Sequence, residues 1–144
     1  MYQYTYERRL HWSECDPGGI IFFPHYARWM VEGLNEMFLE LGVDPNGPRG
    51  GAALGGLPVL ALVMKFASAP ALHEMVTHRI EVTRLGGKSL AFRHCFLRGQ
   101  ELLMEAEETR VWAEHPHGDP RGLRATRIPD EVRALLQQDL RAPS

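Results

Sequence analysis

The chain has 144 residues, 44% hydrophobic and 24% charged, and its sixteen Lys and Arg against eighteen Asp and Glu leave a formal net charge of −2. That length predicts one domain over 1–144, able to bury roughly 70% of its unfolded surface without staples. The charge balance argues against nucleic-acid binding driven by bulk positive charge. Two cysteines, Cys15 and Cys95, are too few for a disulfide framework. No apolar run approaches the ~18 residues of a membrane span, and Met1 to Arg9 lacks the apolar stretch of a signal peptide. The expectation is a cytoplasmic protein with no membrane association.

Tyr2 to Trp12 alternates aromatic and charged residues and predicts a strand. Ser13 to Gly19, SECDPGG, predicts a turn. From Pro24 to Leu41 the apolar or small residues fall at Tyr26, Trp29, Met30, Gly33, Leu34, Met37, Phe38 and Leu41, an unbroken helical stripe. Pro24 suits the first turn of that helix and Gly42 its stop. Gly42 to Pro58 is rich in Gly and Pro and predicts a long loop. Leu57–Ser68, Met75–Arg84, Ser89–Leu97 and Leu102–Ala113 read as four strands in a meander, with turns at Gly86-Gly87 and Gly99-Gln100. A short helix is predicted over Pro129–Leu140. The order is α+β, an antiparallel sheet packed on one main helix, and a free sheet edge would invite pairing with a second chain.

The chemistry concentrates between Trp12 and Trp29. Asp16 lies in a tight turn before an apolar run, where it either supports the turn through its side chain or serves as a catalytic carboxylate. The helix start after it offers unpaired backbone N–H groups near Ile21 to His25, suited to polarising a carbonyl. Other signals carry less. His115 and His117 lack a third metal ligand at matching spacing, and Cys15 has no positioned base. Of Glu107 and Glu108, one points inward and needs a partner such as Arg110.

The run D-P-G-G-I-I-F-F-P-H-Y-A-R-W, from Asp16 to Trp29, closely resembles the signature of the hotdog-fold thioesterases, in particular the 4-hydroxybenzoyl-CoA thioesterase family. The later turn GGKS (Gly86–Ser89) and the ending GLRATRIP fall in the family's order, so the resemblance covers roughly Tyr6 to Leu136. It implies an antiparallel five-stranded sheet wrapped around one long central helix, with chains joined as homodimers that assemble into homotetramers. It implies hydrolysis of an acyl-CoA to free acid and CoA, with no metal and no bound cofactor. Asp16 matches the catalytic aspartate, as nucleophile or general base, and the backbone N–H of Phe23 matches the group that polarises the thioester carbonyl. Gly18 and Gly19 would let the turn approach substrate, and Trp29 and Val31 are further substrate-binding candidates.

CoA carries phosphates, and Arg84, Lys88, Ser89, Arg121, Arg124 and Arg127 are the candidates to meet them. Lys88, Ser89 and Arg124 match family positions, and Arg121 and Arg127 follow by proximity. Glu101 to Glu114 carries five glutamates and one arginine, whereas Arg121 to Arg127 carries three arginines and no acid, so a near-neutral chain can still hold a basic patch. Two departures stand out. His25 replaces a small polar residue, and either packs near the helix start or adds a titrating group near Asp16. Val31 replaces an acid that lies near the acyl end, which favours a less polar aryl or aliphatic acyl group. Two other functions stay open: a hydratase or dehydratase using Asp16 and His25, and a non-catalytic acyl-CoA-binding dimer.

Overall fold

A computed structural model describes residues 1–139 of the chain. In chain order it contains β1 (Gln3–Arg9), a 3-10 turn (Trp12–Glu14), α1 (Pro24–Glu40), β2 (Pro48–Gly50), β3 (Ala53–Gly56) and β4 (Val59–Phe66). β5 (Met75–Leu85), β6 (Ser89–Arg98), β7 (Glu101–Val111), β8 (Ala113–His115), β9 (Arg124–Ala125) and α2 (Asp130–Gln137) complete it. The final helix therefore starts and ends close to its predicted position, and Leu140 lies outside the described residues.

The main sheet has the order β1-β5-β6-β7-β4, with every pairing antiparallel. The helix α1 lies along one face of it. All seven stripe residues from Tyr26 to Phe38 are buried, and Leu41 is half-buried. Charged residues on the remaining face would lose hydration if turned inward, so the stripe fixes the helix rotation. Burying each large apolar stripe side chain contributes about 1.5–3 kcal/mol before entropy is subtracted. Pro24 occupies the first turn, and Gly42, at φ 75°, turns the chain away after the last. Gly33 is required by packing. A Cβ built there would lie 2.6 Å from the Cε1 atom of His78, so a helix with any side chain at this position could not sit so low on β5.

Two sequence expectations change. β5, β6 and β7 form the meander, but β4 crosses over to pair with β7 at the far edge, not with β5. In that pairing Leu62 and Met64 stand opposite Glu108 and Ala106 of β7. The Gly42–Pro58 segment is not a structureless loop. It holds β2 and β3, which join β8 and β9 in a small second sheet of order β2-β3-β8-β9. The Arg49 guanidinium over the Trp112 ring, 4.3 Å from its centroid, holds this sheet to the core. β7 and β8 share what the alternation presents as one strand, and Trp112 between them is buried with the C-terminal half of α1.

The core has two apolar clusters. One packs Tyr26, Trp29 and Met30 against Val76, Phe96 and Met104. The other packs Leu34, Met37 and Phe38 against Ile80, Val82, Leu90 and Phe92. A buried polar chain crosses the sheet under the helix. Tyr6 Oη and His78 Nδ1 are 2.8 Å apart, His78 Nε2 and His94 Nδ1 2.8 Å, and His94 Nε2 and Glu108 Oε1 3.2 Å. Arg110 donates to the Glu108 carboxylate at 3.1 and 3.3 Å, which makes Glu108 the inward glutamate with the expected partner.

Candidate active site

The Asp16 loop is built from backbone bonds. Cys15 and Ile21 form an antiparallel bridge. The Asp16 N–H donates to the Ile20 carbonyl at 2.9 Å, and the Gly19 N–H to the Asp16 carbonyl at 3.0 Å. The loop packs on the segment before β5 through an Ile20–Ala71 bridge and a 3.1 Å bond from the Leu72 N–H to the Gly19 carbonyl. Gly19 takes φ 81°, a conformation that disfavours side chains.

Asp16 is half-buried at the tip. Its Oδ1 accepts from the Gly18 N–H at 2.8 Å, so the side chain does support its turn. Among the described residues its Oδ2 has no hydrogen-bond partner. A Cβ at Gly18 would come within 3.1 Å of Oδ1, so glycine there allows the close approach.

The helix start resolves which amides are free. The Ile21 N–H goes to the Pro70 carbonyl, the Phe22 N–H to the Glu14 carbonyl, and the His25 and Tyr26 N–H groups to the carbonyls of Phe22 and Phe23. Pro24 has none to give. Among the described residues, no acceptor takes the Phe23 N–H, leaving one donor of the predicted group at the positive end of α1. Exposed aromatic rings surround it: Phe22 and Phe23 are 50% and 59% accessible, and Phe66 of β4 meets Phe23 edge-on at 6.1 Å. His25 is half-buried with its ring 6.0 Å from that of Phe22. The Cys15 thiol is pushed up by burial and then by the charges of Asp16 and Glu14, which keeps it protonated and a poor nucleophile.

Trp29 corrects an expectation. Its side chain is fully buried and its indole N–H donates to Glu14 Oε2 at 2.6 Å. A residue enclosed in this way supports the site from behind and does not line it for substrate. Val31 is 53% accessible, eight residues beyond Phe23 and so about 12 Å along the helix. It opens onto a cavity of ≈ 350 Å³ whose walls include Leu34, Asn35, Phe38, Leu57 and Arg110.

Lys88 and Ser89 lie at the turn between β5 and β6, where Arg84 donates to Ser89 Oγ at 3.0 Å. The segment carrying Arg127 is tied to that turn by a 3.0 Å bond from the Ile128 N–H to the Gly87 carbonyl. Arg127, Arg124 and Arg121 are exposed and reach Asp130, Glu114 and Asp119 at 3.2, 3.1 and 3.7 Å. The fold thus gathers Arg84, Lys88, Ser89 and Arg127 at one end of the molecule. It does not bring them to Asp16, whose loop sits beside the other end of β5. That strand has 11 residues and spans about 35 Å.

The sequence reading missed Glu14 and the His78–His94 pair. A lone glutamate in a turn carries no periodic signal. His78 did carry one, because it shares the buried alternation of Val76, Ile80 and Val82. Among the described residues no three His, Cys, Asp or Glu side chains come together as a metal site. Among the described residues no helix is long and apolar enough to cross a membrane.

The chain matches the family model of the thioesterase-like superfamily over residues 10–136. It is 28% identical over 134 residues to a 4-hydroxybenzoyl-CoA thioesterase of Pseudomonas sp. (strain CBS-3), covering 87% of this chain and 91% of that one. Among solved structures, a 4-hydroxybenzoyl-CoA thioesterase mutant complexed with 4-hydroxybenzoyl-CoA superposes with a TM-score of 0.80 at 25% identity, over 94% of this chain and 99% of that one. A gentisyl-coenzyme A thioesterase does so with a TM-score of 0.75 at 26% identity, over 90% and 98%. With the five-stranded sheet around α1, these matches place the chain in the thioesterase-like superfamily, hotdog-fold enzymes that hydrolyse acyl-CoA thioesters.

Proposed function

We propose that the protein hydrolyses an aryl- or acyl-CoA thioester to the free acid and CoA, with Asp16 as the reacting carboxylate. The observation that carries this reading is that, among the described residues, Asp16 Oδ2 has no hydrogen-bond partner and its loop leads directly to the one free amide at the start of α1. The Phe23 N–H polarises the thioester carbonyl and takes the charge that develops on its oxygen. Asp16 Oδ2 then works in one of two ways. As nucleophile it bonds to the carbonyl carbon, CoA thiolate leaves, and water hydrolyses the resulting anhydride. As general base it takes a proton from the attacking water, and the proton passes to the departing thiolate.

The acyl group extends along α1 toward Val31 and the cavity beyond it. The apolar Val31 and Leu57 favour an aryl or aliphatic group there. The CoA phosphates bind the basic end. Because Lys88 and Asp16 sit at opposite ends of β5 in one chain, the working site is built by two copies. Pairing of the free β4 edges about a two-fold axis reverses the ends and lays the Lys88 turn of a second copy beside Asp16. The apolar residues exposed on β4, Leu60 at 66% and Val63 at 56%, are the surface such pairing would cover. Dimers of this kind are the unit from which a homotetramer assembles.

A panel of acyl-CoA thioesters assayed for free thiol tests the reaction class. The expected result is stoichiometric release of thiol and carboxylic acid from at least one aryl or medium-chain substrate. A change in enoyl-CoA absorbance without thiol would instead mean hydration chemistry, and saturable binding without turnover would mean a carrier or sensor. Phosphate contacts at an exposed basic surface also predict a KM that rises with ionic strength.

A further inference from the structure

The Asp16 loop and the Phe23 amide are the two arms of the site, and one residue touches the neck of both. The Glu14 carbonyl accepts from the Phe22 N–H at 2.8 Å, immediately before Phe23. Two residues on from Glu14 lies Asp16. Glu14 is 5% accessible, and its side chain turns toward Trp29 and Arg28 of α1. Its Oε1 accepts from the His11 N–H at 3.1 Å, and its Oε2 from the Trp29 indole at 2.6 Å and from the Arg28 guanidinium.

These partners are themselves fixed. Trp29 is enclosed in the core, and the Arg8 guanidinium stacks on its ring at 4.4 Å. Arg28 is held by Glu32 at 2.6 Å, and Glu32 also binds Arg8 of β1 at 2.8 Å. Burial raises the Glu14 carboxyl, but the three donors outweigh it and hold the group below its ordinary value, so it stays an anion with charge-assisted bonds.

We propose that Glu14 is a positioning residue: its carboxylate, sealed against Trp29 and Arg28, sets the separation between the Asp16 carboxylate and the Phe23 N–H, and so governs kcat more than acyl-CoA affinity. This rests on the thioesterase reading of Asp16. A displacement of about 1 Å between reacting groups costs on the order of 100-fold in rate. Among the described residues the Glu14 side chain bonds to His11, Arg28 and Trp29 and does not line the cavity, so ground-state binding should be spared.

The test uses the full chain with Glu14→Gln, which keeps the shape and removes the charge, and Glu14→Asp, which keeps the charge and shortens the reach. Arg28→Gln, at a partly exposed position, supplies a variant that folds if the first two do not. The expected result is a kcat reduced about 10- to 100-fold in the Glu14 variants, KM within about threefold, and a smaller kcat loss for Arg28→Gln. Amide hydrogen exchange, measured without substrate, should quicken about tenfold or more at Asp16 and Phe22 while mid-α1 amides keep their protection. Unchanged kcat in the folded variants, or unchanged exchange at both amides, overturns the proposal. So does a kcat loss that merely tracks the unfolded fraction. If the wild type releases no thiol from any substrate, the thioesterase reading fails on its own, and the exchange data still decide whether Glu14 holds the loop.

Discussion

Asp16 uses one carboxylate oxygen on its own loop and, among the described residues, leaves the other without a partner, which reconciles the two roles its sequence context allows. The Gly18 N–H donates to Oδ1 at 2.8 Å. Gly18→Ala would place a methyl 3.1 Å from that oxygen, and the loop or the carboxylate must yield by a few tenths of an ångström. Thiol release by Gly18→Ala should fall about tenfold, with melting temperature nearly unchanged, because the displacement sits at the reacting group. Asp16, Gly18 and Phe23 stand out as candidates in the sequence because the D-P-G-G-I-I-F-F-P run places them by motif. Glu14 does not, because its role depends on Trp29, fifteen residues later, turning its indole N–H back toward the turn. Trp29 lies on the buried stripe that its periodicity predicts, and that burial removes it from substrate.

Among the elements, the helix was the most legible and the route of β4 the least. An eighteen-residue stripe of period 3.6 reports its own buried face, whereas strand order depends on which apolar edge meets which neighbour. Gly33 shows how closely α1 and β5 are matched. Gly33→Ala forces a methyl against the His78 ring at 2.6 Å, and overpacking of this kind should cost about 1–3 kcal/mol in denaturant unfolding. His78 also fixes a pH response. Burial, then the neighbouring His94 and then Arg8, hold its pKa well below the ordinary 6.5. The folded state keeps His78 neutral while the unfolded chain takes up a proton, so the unfolded state binds more protons and stability rises with pH. The stabilisation is full above about 6.5 and is lost as pH falls toward the depressed folded value. Chemical denaturation between pH 7.5 and 5.5 should show the midpoint falling with acidification. His78→Gln should flatten that slope, and an equal slope in the variant would contradict the assignment.

For the whole molecule, the near-neutral charge of the chain conceals a separation of charged groups along the sheet, with the Asp16 carboxylate beside one end of β5 and the basic turn at the other. A composite site across two copies makes a specific forecast for mixed subunits. Asp16→Ala and Lys88→Glu chains, each weak alone at low substrate, should regain up to about a quarter of wild-type activity after joint unfolding and refolding. In a hybrid dimer one site carries both lesions and the other carries none. Activity that stays at the average of the two variants would place each site within one chain. The basic residues were legible as charge, but their distance from Asp16 was not, because it depends on strand pairing and not on spacing along the chain.

Hydrolysis by Asp16 is tested most directly by Asp16→Asn, which keeps the size of the side chain and its acceptor oxygen toward Gly18 while removing the reacting carboxylate. With the best acyl-CoA of the panel, thiol release should fall roughly 10²–10⁴-fold, with the melting temperature and oligomeric state of the wild type retained. Thiol release at the wild-type rate from a folded Asp16→Asn protein would contradict it.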